Sequence, residues 1–269
     1  MGGMLPAMAQ TAKKSLTVDN LVTWQRISGQ AISNNGKWIS CKMEPWEGDA
    51  TVFLYDAQGK ELTSFPQADS FAFSNSSDYL VITQKPEKAT LDSLKVLKTK
   101  KDKMPMNTLV IYSLSGKQEI IDSLKSFKLA RKADWIAYQR GRKDSTLYVR
   151  SLDGSSVLQF PAVKNYEFAK ESAMLYYTSA GDKEANKSGI FTLNPEKKTS
   201  TLVKEGKGVF KQISWDEKGE YLAFLYGEKK DSCYKAMSLW LSEHEAPAKE
   251  IATRGNSAFP AGWVINENG

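Results

Sequence analysis

Few side chains in this chain have the types and spacing for covalent or metal chemistry. The one histidine, His244, stands in Ser242-Glu243-His244-Glu245. Acyl transfer would use it as the base beside a serine nucleophile and an orienting carboxylate. The serine would need the sharp strand-to-helix turn G-x-S-x-G, which exposes the hydroxyl, and no such pentapeptide occurs. Zinc would need several His or Cys ligands close together, and the chain offers His244 with the distant Cys41 and Cys233. No P-loop or G-x-G-x-x-G is present, and Gly206-Lys207-Gly208 reads as a turn between strands. The carboxylates Glu243 and Glu245 have no apolar surroundings to tune them and read as solvated. The expectation is a chain that by itself is not an enzyme, with no catalytic, cofactor-binding or metal residue to assign.

The elements that would position any site come from a degenerate repeat. A polar turn leads into an aromatic-aliphatic or apolar pair five times: Trp38-Ile39, Tyr79-Leu80, Trp135-Ile136, Met174-Leu175 and Tyr221-Leu222. The intervals are 41, 56, 39 and 47 residues, the length of four-stranded β-propeller blades. The turns are clearest at Ser33-Asn34-Asn35-Gly36, at Ser74-Asn75-Ser76-Ser77-Asp78 and at Asp216-Glu217-Lys218-Gly219. A second apolar strand follows in each unit. Val52-Phe53-Leu54-Tyr55, Leu109-Val110-Ile111-Tyr112 and Leu147-Tyr148-Val149-Arg150 each meet a glycine (Gly59, Gly116, Gly154) seven residues after the first position, which predicts hairpins. Ile190-Phe191-Thr192-Leu193 and Leu239-Trp240-Leu241 hold the equivalent places without that glycine. A generic antiparallel sandwich also recurs strand by strand, but this pattern recurs in pairs at blade length.

The fold class is therefore all-β, a β-propeller of WD40-like blades with about five present and the ring incomplete. Blades open near residues 31, 72, 129, 168 and 213 within one domain, 11–269. Tyr221 to Tyr226 is apolar throughout, which predicts a strand covered on both faces. Trp38 to Met43 alternates, with Ile39, Cys41 and Met43 on one face, which suits a blade at an open end.

The chain is 41% apolar and 11% aromatic with a net charge of +6, globular and modestly basic. Seven lysines fall within 85–103 against Glu87, Asp92 and Asp102. Without interleaved arginine or aromatics this Lys-rich insertion, 85–105, reads as a solvated hairpin or short helix and not a nucleic-acid surface. Cys41 and Cys233 are too few for a disulfide scaffold; they read as buried thiols, and whether they pair is left open. Residues 1–10 look like a signal-peptide remnant, with Ala7 and Ala9 as the small residues of a cleavage site. No apolar run reaches the ~18 residues of a membrane span, so an exported protein, periplasmic or extracellular, is expected.

These residues resemble the N-terminal propeller region of the prolyl oligopeptidase (S9) family of serine peptidases, in the large exported form common in Bacteroidetes. Leu16-Thr17-Val18-Asp19-Asn20-Leu21-Val22-Thr23-Trp24 is similar to the family's opening segment. Lys100-Lys101-Asp102-Lys103-Met104-Pro105 resembles its lysine-rich insertion. The turns at Ser33 and Ser74 resemble its blade openings, and Phe259-Pro260-Ala261-Gly262-Trp263 its lead into a further blade. The resemblance implies a non-catalytic propeller that gates or positions peptide for an α/β-hydrolase domain absent from this chain, and no catalytic residue carries over. Peptide substrate or that missing hydrolase domain is the expected partner. A free-standing exported binding module for a protein or glycan is the alternative. The isolated chain is expected to be marginally stable or self-associating, because an array of blades needs capping. Asp92-Ser93-Leu94, Asp122-Ser123-Leu124 and Asp144-Ser145-Thr146 resemble the short O-glycosylation acceptor of the same source.

Overall fold

The computed structural model describes residues 17, 24–181, 187–230, 233–234, 237–243, 246–253 and 265. His244, Glu245, residues 1–10 and nearly all of the opening and closing segments lie outside these.

The repeats become five four-stranded antiparallel meanders in chain order. Blade 1 holds β1 (Gln25–Ile32), β2 (Trp38–Pro45), β3 (Thr51–Asp56) and β4 (Glu61–Pro66). Blade 2 holds β5 (Ala68–Phe73), β6 (Tyr79–Gln84), β7 (Asn107–Ser113) and the first half of β8 (Gln118–Leu129). Blade 3 takes the second half of β8 with β9 (Trp135–Arg140), β10 (Leu147–Ser151) and β11 (Val157–Phe160). Blade 4 is β12 (Val163–Phe168), β13 (Leu175–Ser179), β14 (Gly189–Asn194) and β15 (Thr199–Glu205). Blade 5 starts with β16 (Val209–Trp215) and β17 (Tyr221–Gly227). A two-stranded ribbon follows, β18 (Lys229–Lys230) with β19 (Cys233–Tyr234), before β20 (Ser238–Glu243) and β21 (Lys249–Ala252) complete the blade. The array is a β-propeller of five blades in series, and among the described residues no strand pairing joins the first blade to the last.

Each interface between neighbouring blades is one apolar cluster, and strand alternation supplies it from both sides. Leu80 and Ile82 of β6 face Val52, Leu54 and Phe65 of blade 1. Val81, between them, faces Ile136, Tyr138 and Leu152 of blade 3. Ala137, Leu147 and Val149 then meet Leu175, Tyr177 and Leu193 of blade 4. Ile190 and Val203 meet Leu222, Phe224 and Tyr226 of blade 5. Blades 2, 3 and 4 are therefore apolar on both faces, while in blade 5 the run from Tyr221 to Tyr226 packs Leu222, Phe224 and Tyr226 on blade 4 and leaves Tyr221 exposed. Blade 1 is covered on one side only. Ile39, Cys41 and Met43 are half-buried on its outer face, near exposed Ile27 and Ile32. Cys41 is thus a partly buried free thiol instead of a core residue. Cys233 lies in the ribbon and not in a blade strand.

The repeated turn sits between the first and second strands of every blade. Its first residue donates its amide to the carbonyl five residues on in all five: Ser33 to Trp38, Ser74 to Tyr79, Ala130 to Trp135, Ala169 to Met174 and Asp216 to Tyr221. Side chains close the same loop where they can. Ser33 Oγ accepts from Trp38 N, Ser74 Oγ from Tyr79 N, and Asp216 Oδ1 from Tyr221 N at 2.8 Å. The turns also touch from blade to blade. Asn34 Nδ2 donates to Asn75 O (2.9 Å), Ser76 N to Asp134 Oδ1 (3.0 Å) and Glu171 N to Glu217 O (2.8 Å), while Lys132 pairs with Glu171 at 3.6 Å. One rim of the array is therefore tied end to end by polar contacts. The hairpin glycines Gly59, Gly116 and Gly154 have φ of 82°, 100° and 77°, the left-handed region their turns require.

The lysine-rich insertion forms helix α1 (Lys88–Val96) and a 3-10 turn, Lys101–Lys103. Asp49 of blade 1 accepts the Lys88 amide at 3.1 Å, and Lys88 Nζ reaches Asp92 and Glu47, so the helix is anchored beside the β2–β3 loop.

Candidate functional site

The innermost strands β1, β5, β8, β12 and β16 line the axis, and each departs from regular pairing at nearly the same place. The residue left out of register is Ser28, Asp69, Lys125 or Lys164 in the first four blades, and the pair Gln212-Ile213 in blade 5. A bulge frees one residue from the ladder and re-aims it. The following amide finds a side-chain partner in two blades: Ser70 N donates to Thr83 Oγ1 and Asn165 N to Thr178 Oγ1. Counting back from the conserved turn geometry, position five carries Ser28, Asp69, Lys125, Lys164 and Lys211. Blades 3, 4 and 5 all place lysine there.

These inner strands enclose an open cleft of about 540 Å³ lined by Ser126, Lys128, Lys164, Tyr166, Tyr176 and Lys211, among others. A second hollow of about 400 Å³ continues it toward the turn rim, adding Arg131, Lys170 and Trp215 and sharing Lys128, Glu167 and Tyr176. The volumes fall in the range of roughly 300–1,000 Å³ typical of ligand sites. Among the described residues, five cationic side chains (Lys128, Lys164, Lys211, Arg131, Lys170) and one carboxylate, Glu167, line the two. Glu167 pairs with Lys128, and its backbone carbonyl accepts from Trp215 Nε1 at 3.4 Å. Lys125 turns out of the cleft toward the opposite rim, where its Nζ donates to Asp144 O at 3.3 Å.

Burial pushes the phenols of Tyr166 and Tyr176 up to about 12, with the Glu167 charge adding to both. Both rings are therefore neutral hydrogen-bonding groups throughout the physiological range, and Tyr166 OH shares a 2.7 Å hydrogen bond with Ser126 Oγ. The tract is basic, flanked by aromatic and amide groups, and suited to holding an anionic, extended ligand by charge and hydrogen bonds. Nucleophile and base are not brought together on it, and among the described residues no three His, Cys, Asp or Glu side chains group to hold a metal ion.

The other chemistry-bearing residues fall elsewhere. Glu243, in β20, accepts from Tyr221 OH at 3.2 Å. Gly206-Lys207-Gly208 is the β15–β16 connection, as expected, where Cβ atoms at Gly206 and Gly208 would lie 2.2 Å from Tyr226 OH and Gly227 O. The acceptor-like serines are dispersed: Ser93 in α1, Ser123 in β8 and Ser145 before β10. No motif in the sequence marks these inner-strand lysines. Their signal is spacing: Lys125, Lys164 and Lys211 are 39 and 47 residues apart, the same intervals as the third, fourth and fifth aromatic or apolar pairs.

No protein-family model matches the chain. No curated protein matches it. Among solved structures it is similar to a prolyl endopeptidase at TM-score 0.46 and 15% identity, over 86% of this chain and 36% of that one. The β-propeller domain of the trilobed protease from Pyrococcus furiosus, with its open velcro topology, gives 0.46 and 6% over 87% and 73%. An oligogalacturonate lyase in complex with manganese gives 0.47 and 13% over 87% and 66%. The chain spans about a third of the length of the prolyl endopeptidase it matches. One architecture carrying a peptidase and a lyase says nothing of chemistry, and the propeller assignment here rests on the blades themselves.

Proposed function

We propose that this chain is the non-catalytic propeller of an exported prolyl oligopeptidase-like serine peptidase, and that it admits or positions peptide for an α/β-hydrolase domain. The observation that carries this is the axial cleft: it crosses the inner strands of three consecutive blades and offers hydrogen-bonding groups and aromatic faces along its length. The resemblance of the opening segment, the insertion and the blade turns to that family supports the same reading. Bulged inner strands leave backbone and side-chain groups directed toward an extended ligand, which suits short or unfolded peptides over folded proteins.

The test is a proline-containing, uncharged peptide bearing a photoreactive group, irradiated with the full chain and mapped by mass spectrometry. Labelling is expected on β12 and β16, near Tyr166 and Phe210, with a folded protein carrying the same group leaving them unlabelled. Labelling confined to the outer strands, or equal labelling by the folded protein, would sink the proposal. Reading the native transcript past Gly269 for an in-frame G-x-S-x-G tests the peptidase part independently.

A further inference from the structure

We propose that the axial cleft selects carboxylate-rich peptide segments, with Lys164 and Lys211 as the selecting charges. The inference rests on the peptide-admitting function above and adds the charge class of the substrate. Three observations carry it. Lysine occupies the equivalent inner-strand position in three successive blades, whereas the first two blades carry Ser28 and Asp69 there. Of the three, Lys164 and Lys211 line the cleft, while Lys125 is turned to the opposite rim. Among the described residues the two adjoining hollows are lined by five cations and one carboxylate, Glu167, which pairs with Lys128, while Lys170 pairs with Glu217 beyond the lining at 3.9 Å. Walls of one sign in a recess focus the field and raise the local concentration of oppositely charged ligand.

The lining also favours carboxylate over phosphate. Four of the five cations are lysines, point charges without the bidentate fork that arginine presents to phosphate. The surrounding groups, Ser126, Asn165, Tyr166 and Gln212, give and accept single hydrogen bonds as a peptide backbone requires. Asp69, the one acid at the equivalent ring position, is paired with Lys85 and lies in blade 2, outside the lining of the cleft. A peptide with acidic residues would be drawn along the blade 3–5 side, and a basic one repelled from it.

The experiment uses fluorescein-labelled hexaglutamate, an uncharged Ser-Pro peptide and hexalysine of equal length, followed by anisotropy against the full chain. Hexaglutamate is expected to bind tightest, to weaken steeply with added salt, and to lose about tenfold in affinity in K164Q/K211Q, two charge contacts together. The double variant K95Q/K98Q on the insertion, with the same change in net charge, is the control and should bind as the parent does. Circular dichroism verifies the folds of both variants. Equal binding of all three peptides, or a loss in the control equal to that in K164Q/K211Q, overturns the charge selection and leaves the peptide function standing. Binding of an oligouronate of the same charge with no binding of any peptide overturns both.

Discussion

Gly219 and Gly36 offer an internal control on how much the blade-to-blade rim contributes. Both are the fourth residue of the repeated turn and both sit in the left-handed region, at φ +78° and +69°. Alanine at either site meets the same backbone penalty, about 1–2 kcal/mol for an L-residue forced into that region. Their surroundings differ. A Cβ at Gly36 has nothing within 4 Å, whereas at Gly219 it would lie 2.7 Å from Ser172 Oγ, 2.9 Å from Ala169 Cβ and 3.0 Å from Met174 Cβ, all in the blade 4 turn. Two of those neighbours are Cβ atoms that move only with their backbone, so overpacking adds about 1–3 kcal/mol. G36A is therefore expected to destabilise by about 1–2 kcal/mol and G219A by about 2–5 kcal/mol. Urea unfolding followed by near-UV circular dichroism reads the difference as a shift in midpoint at unchanged slope. Equal losses for the two variants would refute the idea that the turns are packed against each other along the rim. A larger loss at Gly36 would reverse it.

Thr192 is buried in β14 with no hydrogen-bond partner for its Oγ1 among the described residues, so T192V should leave stability unchanged or raise it by about 1 kcal/mol; a loss above that in thermal melting would reveal a partner. Phe224 is fully buried in the blade 4–5 cluster, and F224A should cost about 3–5 kcal/mol in the same melt. Tyr166 and Tyr176 titrate from an ordinary 10.0 to about 12 in the folded chain. Folding thus holds their protons more tightly than the unfolded chain does, and that stability is full below pH 10 and is lost as pH climbs to 12. Tyrosinate absorbance during an alkaline titration should show a late-ionising fraction that shrinks in Y166F. Ionisation of every tyrosine together near 10 would contradict it.

The blade period was legible because each second strand starts with a large apolar pair that both neighbouring interfaces need. Trp38, Tyr79 and Trp135 mark it, and the glycines at 59, 116 and 154 mark the hairpins. The innermost strands were not legible, since the bulge at Asp69 or Lys164 interrupts alternation and fills the segment with polar residues that read as loop. The site went unread for the same reason: its lysines look like ordinary surface charge until they are counted back from the turns. The union of blades 2 and 3 through β8 was also hidden. Other blade junctions carry Pro66-Gln67, Pro161-Ala162 or Gly206-Lys207-Gly208, while Asp122 to Lys125 has neither proline nor glycine. There the chain passes from blade to blade with a single left-handed residue, Ser123 at φ +57°.

The recurring register break bears on how such a scaffold changes over generations. Ser28, Asp69, Lys125 and Lys164 differ in charge, length and polarity, yet each is held out of the ladder at the same step while the strands on either side pair alike. None of the four belongs to an interface cluster, although their chain neighbours Ala68, Leu124 and Val163 do. Substitution there changes a side chain that stands outside the packing that keeps the blades together. Lineages carrying this architecture can therefore change what the inner strands present one blade at a time, at four positions whose own side chains lie outside the packed interfaces.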